Sequence, residues 1–201
     1  VLENLGTLTK SGTSSTTTVE SEVTNSGTLN ILSGTLRLEQ DFLQDATVQI
    51  ESAAMLWVGA NSISGDRDYL QTGGTTSIRG GTLRAKGTIR VDGGLFQADG
   101  TLIGDVVNQA NITIGWPIGE LRVHGDYQQG SAASLSVEAT GDPGHSADRL
   151  IVDGGVSLDG TFDYDVSGLG SLTSRIGFVE NDGNDAIAGT FNNVADGDTV
   201  E

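Results

Sequence analysis

Residues 80–128 read GGTLRAKGTIRVDGGLFQADGTLIGDVVNQANITIGWPIGELRVHGDYQ, and this stretch decides the fold. A short pair ending in an apolar residue recurs every six or seven positions: Thr82-Leu83, Thr88-Ile89, Gly94-Leu95 and Thr101-Leu102. A glycine stands before each pair, at Gly81, Gly87, Gly93 and Gly100. The 3.6-residue period of a helix does not produce that spacing. Very short strands do, each closed by a tight turn and restarted. On such strands Leu83, Ala85, Ile89, Val91 and Leu95 are expected to point inward, and Arg84, Lys86, Arg90 and Asp92 outward.

The same phrases extend toward the N-terminus. Asn4-Leu5-Gly6-Thr7-Leu8 returns 21 residues later as Asn25-Ser26-Gly27-Thr28-Leu29, and Gly34-Thr35-Leu36 follows. Strand-like units repeating near 20 residues indicate an all-β solenoid, a parallel β-helix whose coils stack on one another. Apolar and polar residues alternate in Thr28-Leu29-Asn30-Ile31, so one side of each strand is buried. The rhythm loosens over residues 41–80, where Ala53 to Val58 form a denser apolar run and residues 61–68 a polar loop. Beyond 128 the alternation persists in Ser134 to Glu138 and Arg149 to Val152, but the charge becomes acidic against only Arg149 and Arg175. The chain therefore divides softly. Residues 1–128 are β-helix coils with Gly-Thr-Leu repeats, and 129–201 are an acidic continuation of the β-helix or a C-terminal cap region. About ten coils at ~4.8 Å each make a rod roughly 45 Å long. No segment of eleven or more residues carries a helical period.

Composition narrows the partners. Glycine numbers 30 and proline 2 among 201 residues, so turns fall to Gly, Asn and Asp. The formal net charge of −17 repels polyanions and argues against nucleic acid. There is no cysteine, hence no disulfide and no thiolate metal site. No apolar run approaches the ~20 residues of a spanning helix, so membrane insertion is not expected. Val1 falls in the middle of a repeat. The chain is therefore expected to belong to a longer polypeptide or polymer, meeting neighbouring segments or like subunits end to end.

Several phrases resemble the passenger regions of autotransporter-type and filamentous-haemagglutinin-like bacterial surface proteins. They are Gly100-Thr101-Leu102-Ile103-Gly104-Asp105-Val106-Val107-Asn108, Gly125-Asp126-Tyr127-Gln128-Gln129, Asp148 to Gly154 with Val156 to Thr161, and Phe178 to Asp185 with Gly189-Thr190-Phe191. The resemblance covers most of the chain. It implies a right-handed parallel β-helix displayed outside the bacterial cell. It departs at Gly115-Trp116-Pro117-Ile118-Gly119, where Trp116 is expected to pack on the stack.

Residues able to carry chemistry are few. Arg79, Arg84, Lys86 and Arg90 hold four of the ten basic residues within twelve positions. Aligned on one face, Arg84, Lys86 and Arg90 would contact an acidic glycan; as a solvated face they would only neutralise Asp92, Asp99 and Asp105. Asp66 with Asp68, or Asp163 with Asp165, have the spacing of a glycosidase acid/base pair, although such pairs arise by chance in an acidic chain. His124 and His145 each lie near Ser or Asp, but a triad is assembled from separate elements, and turn histidines are the simpler reading. Asp182, Asn184 and Asp185, with Asp196 and Asp198, offer oxygen ligands for Ca²⁺; Asx turns explain them equally well. Thr7, Thr28, Thr35, Thr82, Thr88 and Thr101 would have to form regular ranks to match ice, and their spacing is irregular. The expectation for function is a non-catalytic structural or adhesive segment of an extracellular bacterial surface protein. A polysaccharide-binding or polysaccharide-cleaving β-helix, touching glycans or a host surface, is the alternative.

Overall fold

The computed structural model describes residues 1–12, 15–59, 67–140, 147–168, 176–182 and 185–194. Among the described residues there is no helix, and the strands form one sheet whose ladders are all parallel. The strands sort into three ladders. The first contains β1 (Leu2–Asn4), β4 (Val23–Asn25), β7 (Phe42–Gln44), β10 (Tyr69–Gln71), the ends of β11 (Thr75–Val91) and β12 (Leu95–Asn108), β15 (Tyr127–Gln129), β18 (Val156–Leu158) and β21 (Ala188–Gly189). The second contains β2 (Thr7–Lys10), β5 (Thr28–Ile31), β8 (Thr47–Glu51), the beginnings of β11 and β12, β13 (Asn111–Ile114), β16 (Ser134–Thr140) and β19 (Thr161–Gly168). The third contains β3 (Thr16–Val19), β6 (Gly34–Leu38), β9 (Ala54–Val58), the middles of β11 and β12, β14 (Glu120–His124), β17 (Arg149–Val152) and β20 (Val179–Asn181). Each pass of the chain thus gives one strand to each ladder, and all three ladders cross residue 128.

The stretch that opened the reading behaves differently from isolated short strands. β11 and β12 run on through their corners, with register shifts at Arg79/Gly81 and Arg84/Thr88. Glycine makes the bends possible. Gly74 sits at φ +64°, and a β-carbon there would overlap the Ala46 carbonyl of the pass beneath. Gly94, one pass on, has φ +75° and meets Gly74 in the same way. Only a residue without a side chain allows the corners to stack so closely.

Inside, the expected residues Leu83, Ala85, Ile89 and Val91 are buried. Leu95 is not an inward residue. Phe96 takes the core position and Leu95 turns out, in register with Thr75 and Asn111. The strand restarts after Gly94 with its larger apolar side chain inside, where burial gains more. Phe42, Tyr69 and Phe96 form an aromatic pile with centroids 5.5 and 6.4 Å apart. The Tyr69 hydroxyl is paired with Thr76 Oγ1 at 2.5 Å, and burial raises its pKa above the ordinary phenol value.

One inward column is polar apart from Val91, which stands between Gln71 and Asn108. On the first ladder Asn4, Asn25, Gln44, Gln71, Asn108 and Gln129 each occupy the last inward position of their strand. Asn4 donates to Asn25 Oδ1 at 2.6 Å and Asn25 to Gln44 Oε1 at 2.7 Å. They also donate to backbone carbonyls past the corner, as Asn25 does to Thr47 O (2.9 Å), Asn108 to Ser134 O (3.0 Å) and Gln129 to Thr161 O (3.1 Å). A corner carbonyl shut away from water needs a donor, and these amides supply it.

The two ends of the stack differ. Among the described residues β1, β2 and β3 pair with a later strand only. Val1, Leu2 and Leu5 are exposed there, while Lys10 tucks its ammonium under the Ser33 carbonyl at 3.2 Å. At the other end Phe162 packs on Tyr164, Phe178 and Phe191, with centroids 4.9–5.9 Å apart.

Candidate functional site

Strand register sorts the outward side chains into columns. On the second ladder the first column is Thr7, Thr28, Thr47, Thr75, Leu95, Asn111, Ser134 and Thr161. The second column is Thr9, Asn30, Gln49, Ser77, Gln97, Thr113, Ser136 and Asp163. The threonines whose spacing looked irregular therefore fall into three groups, Thr88 lying alone on the first ladder opposite Asp105. Thr7 and Thr28 stack with Thr47 and Thr75, whereas Thr35, Thr82 and Thr101 belong to the third ladder, interrupted by Met55. Unequal passes, from 16 residues between Leu95 and Asn111 to 31 between Ser157 and Ala188, hide that alignment in the sequence.

Where the second ladder's face reaches β16 and β19 it hollows into a groove of about 320 Å³. Gln97, Thr113, Ser136, Glu138, Asp163, Tyr164 and Asp165 line it, and Pro117 forms one wall. Pro117 belongs to the link 115–119, which begins where Gly115 N donates to Ala98 O at 3.1 Å. Gln97 Nε2 donates to Gly115 O at 3.1 Å. Asp148 fixes the other end of the link. It is fully buried, and its two oxygens accept from Gly119 N and Glu138 N, both at 2.7 Å. Burial pushes its carboxyl up to about 6, with the negative Glu138 and Asp99 adding to the shift against those two hydrogen bonds.

The carboxylates Asp163 and Asp165 thus do lie in a groove, joined by Glu138, which is the register partner of Asp165. Ser167 donates to Asp165 and holds its carboxyl below the usual range. The raised carboxyl of Asp148 does not line the groove. Amide, hydroxyl and carboxylate groups beside the exposed Tyr164 ring suit hydrogen bonding to a hydroxylated ligand. Gln97, Thr113, Ser136 and Glu138 were not singled out from the sequence; their only signal is one outward polar residue repeated on successive strands.

The other candidates are distributed more widely. Asp66 lies outside the described residues, and Asp68 accepts from Thr88 N at 2.7 Å. The basic residues do not form one column. Arg79 is on the second ladder and Arg84 on the third, Lys86 lies on the corner beyond it, and Arg90 is on the first ladder, bound to Asp92 at 2.7 Å. Their periodicity carried them round the corners instead of along one face. Arg84 stacks on Trp57 at 4.6 Å with Arg37 at 5.7 Å, and Arg79 covers Trp116 at 4.4 Å. Trp116 does pack on the stack in that sense, beside a second hollow of about 490 Å³ that includes Ser52 and Asp99.

Farther along the third ladder the outward face is laced with charge. Arg122 is 2.9 Å from both Asp153 and Asp182, and Arg149 bridges Glu120 (2.6 Å) and Glu180 (3.1 Å). His124 Nδ1 pairs with Asp153, whose carboxyl it holds below the usual range. His145, Asn184, Asp196 and Asp198 lie outside the described residues. Asp182 is engaged by Arg122, and the backbone carbonyl of Asp185 accepts from Asn181 at 2.9 Å. Among the described residues no group of three or more acidic or histidine side chains is placed to hold a metal ion.

No family model, curated protein or solved structure matches the chain. Among the described residues no helix is long and apolar enough to cross a membrane.

Proposed function

We propose that the three ladders close into a right-handed parallel β-helix, and that it serves as a rigid, non-catalytic structural or adhesive segment of an extracellular bacterial surface protein. The carrying observation is the run of parallel ladders through nearly every described pass. A stack of that kind is stiff along its axis and presents long outward columns, which suits display and contact more than a closed active site. The one-sided pairing of β1, β2 and β3, with Val1, Leu2 and Leu5 exposed, favours contact with a neighbouring segment or a like subunit end to end. Light scattering at increasing salt tests this. Screening the −17 charge is expected to promote association that Leu5→Asp relieves. A monodisperse monomer at every salt concentration refutes end-to-end contact.

A second reading, a polysaccharide-binding or polysaccharide-cleaving β-helix, is favoured by the groove at Asp163, Tyr164 and Asp165. Incubation with neutral and acidic polysaccharides separates the two. Scaffold function predicts no change in polymer length. Chain shortening lost on Asp163→Asn would make the protein a hydrolase.

A further inference from the structure

We infer that the outward face of the second ladder is a binding track for an uncharged linear polysaccharide, lying along the stack and ending in the groove at Tyr164. This deepens the glycan-binding reading, names the ligand class, and moves the contact away from Arg84, Lys86 and Arg90.

Charge is the first ground. Charged residues make up 18% of the chain, yet the first two outward columns of this ladder are uncharged from β2 through β16. Charge on this face is confined to the third outward column, at Glu51, Arg79, Asp99 and Glu138. The third ladder, with the same inward pattern, places Arg37, Arg84, Arg122, His124 and Arg149 outward. Outward positions need only be polar, so solubility alone does not require two adjacent columns to lack charge. An acidic glycan would be repelled by the chain as a whole and would find no cation on these columns.

The second ground is the kind of polar group. Hydroxyls and carboxamides both donate and accept, as sugar hydroxyls do. Among the described residues only Gln49, Gln97, Asn111 and Ser136 of these columns direct polar side-chain atoms to protein partners; apart from the buried Ser77 and the apolar Leu95, the others are left for a ligand. Strand spacing is the third ground. Successive strands present the same two positions every ~4.8 Å, a step close to the length of one sugar ring in an extended chain. The groove supplies what a flat face lacks: an exposed aromatic ring, a proline wall, and carboxylates able to accept from paired hydroxyls.

Affinity electrophoresis of the full chain tests the inference, in native gels containing hydroxyethyl cellulose, mannan or dextran, with polygalacturonate as the anionic control. Retention is expected in at least one neutral gel and not in polygalacturonate. The double variant Thr47→Glu, Thr75→Glu should weaken it about tenfold, because each carboxylate enters a contact with no cation to meet it; Tyr164→Ala should weaken it comparably. Thr35→Glu, on the third ladder, should leave it unchanged. The three threonines face outward, whereas Tyr164 is in register with the inward Val137 and packs on Phe162, so unaltered circular dichroism melts are required to separate lost binding from lost folding. Neutral-gel retention that survives the double variant overturns the track while leaving glycan binding intact. Retention only in polygalacturonate, lost on Arg84→Ala, overturns it in favour of the basic residues. Retention in no gel overturns the track and the glycan reading together, and arrest of ice growth abolished by the double variant would then assign the columns to ice.

Discussion

The second and third ladders share one core and one strand rhythm, yet their outer surfaces have little in common. Inward, the second offers mainly Leu, Ile, Val and Phe and the third Leu, Val and Ala, because a narrow interior excludes water and accepts little else. Outward, the second ladder carries two columns rich in Thr, Ser, Asn and Gln beside a further column with Glu51, Arg79 and Asp99, and ends in a groove. The third carries Arg–Trp stacks and then ion pairs. Folding constrains one side of each strand and leaves the other free, so the chemistry that distinguishes the faces lies outside.

If the core is common to both, equal damage should follow from either ladder. Ile78→Ala on the second and Leu83→Ala on the third remove fully buried side chains. Each is expected to cost about 2–5 kcal/mol, read from denaturant unfolding. Tolerance of one and not the other would mean that the ladders do not share a cooperative core.

Asp148 joins the faces, binding Gly119 at the start of the third ladder's strand and Glu138 on the second. Its folded pKa of about 6 lies above the ordinary carboxylate value. The folded state therefore holds the proton more tightly than the unfolded chain. Its stabilising contribution is greatest below the ordinary carboxylate pKa, falls as pH rises through about 6, and is flat above that. Melting curves across that window should show this slope, and Asp148→Asn should remove it. A slope unchanged in the variant would place the titration elsewhere.

Salt should separate the outer faces. Arg122→Ala on the third ladder is expected to cost up to about 1 kcal/mol in dilute buffer, and close to nothing at ~1 M salt, because the pairs it breaks are half exposed. The smallest effect belongs to the second ladder. Thr75→Val should shift stability by no more than about 0.5 kcal/mol at any salt concentration. A salt-dependent loss there would show hidden electrostatics on the uncharged columns.

The strand rhythm was plain in the sequence. The alternation after Gly81 gave the direction of Leu83, Ala85, Ile89 and Val91, all buried. The faces were not plain. Alternation says in or out; it does not say which of three ladders a strand joins. Thr28 and Thr35 look equivalent in the chain yet lie on different ladders, because assignment depends on counting passes of unequal length. Leu95 was misplaced because Phe96 beside it competes for the same core position. The groove escaped notice because its residues come from four strands and a link. The inward amides escaped too, since Asn25 or Gln44 at the end of a three-residue strand reads as an ordinary turn residue.

Those amides act as register pins between successive passes. Asn4, Asn25, Gln44, Gln71, Asn108 and Gln129 each donate to a carbonyl of the pass that follows. A pass laid down on top of its successor finds its acceptor already in place. A pass laid down before its successor keeps its amide in water until the next one arrives. Either way the amide fixes which corner carbonyl must seat against it, and a neighbouring pass that slips out of register buries that donor without a partner, at a cost of about 1–3 kcal/mol.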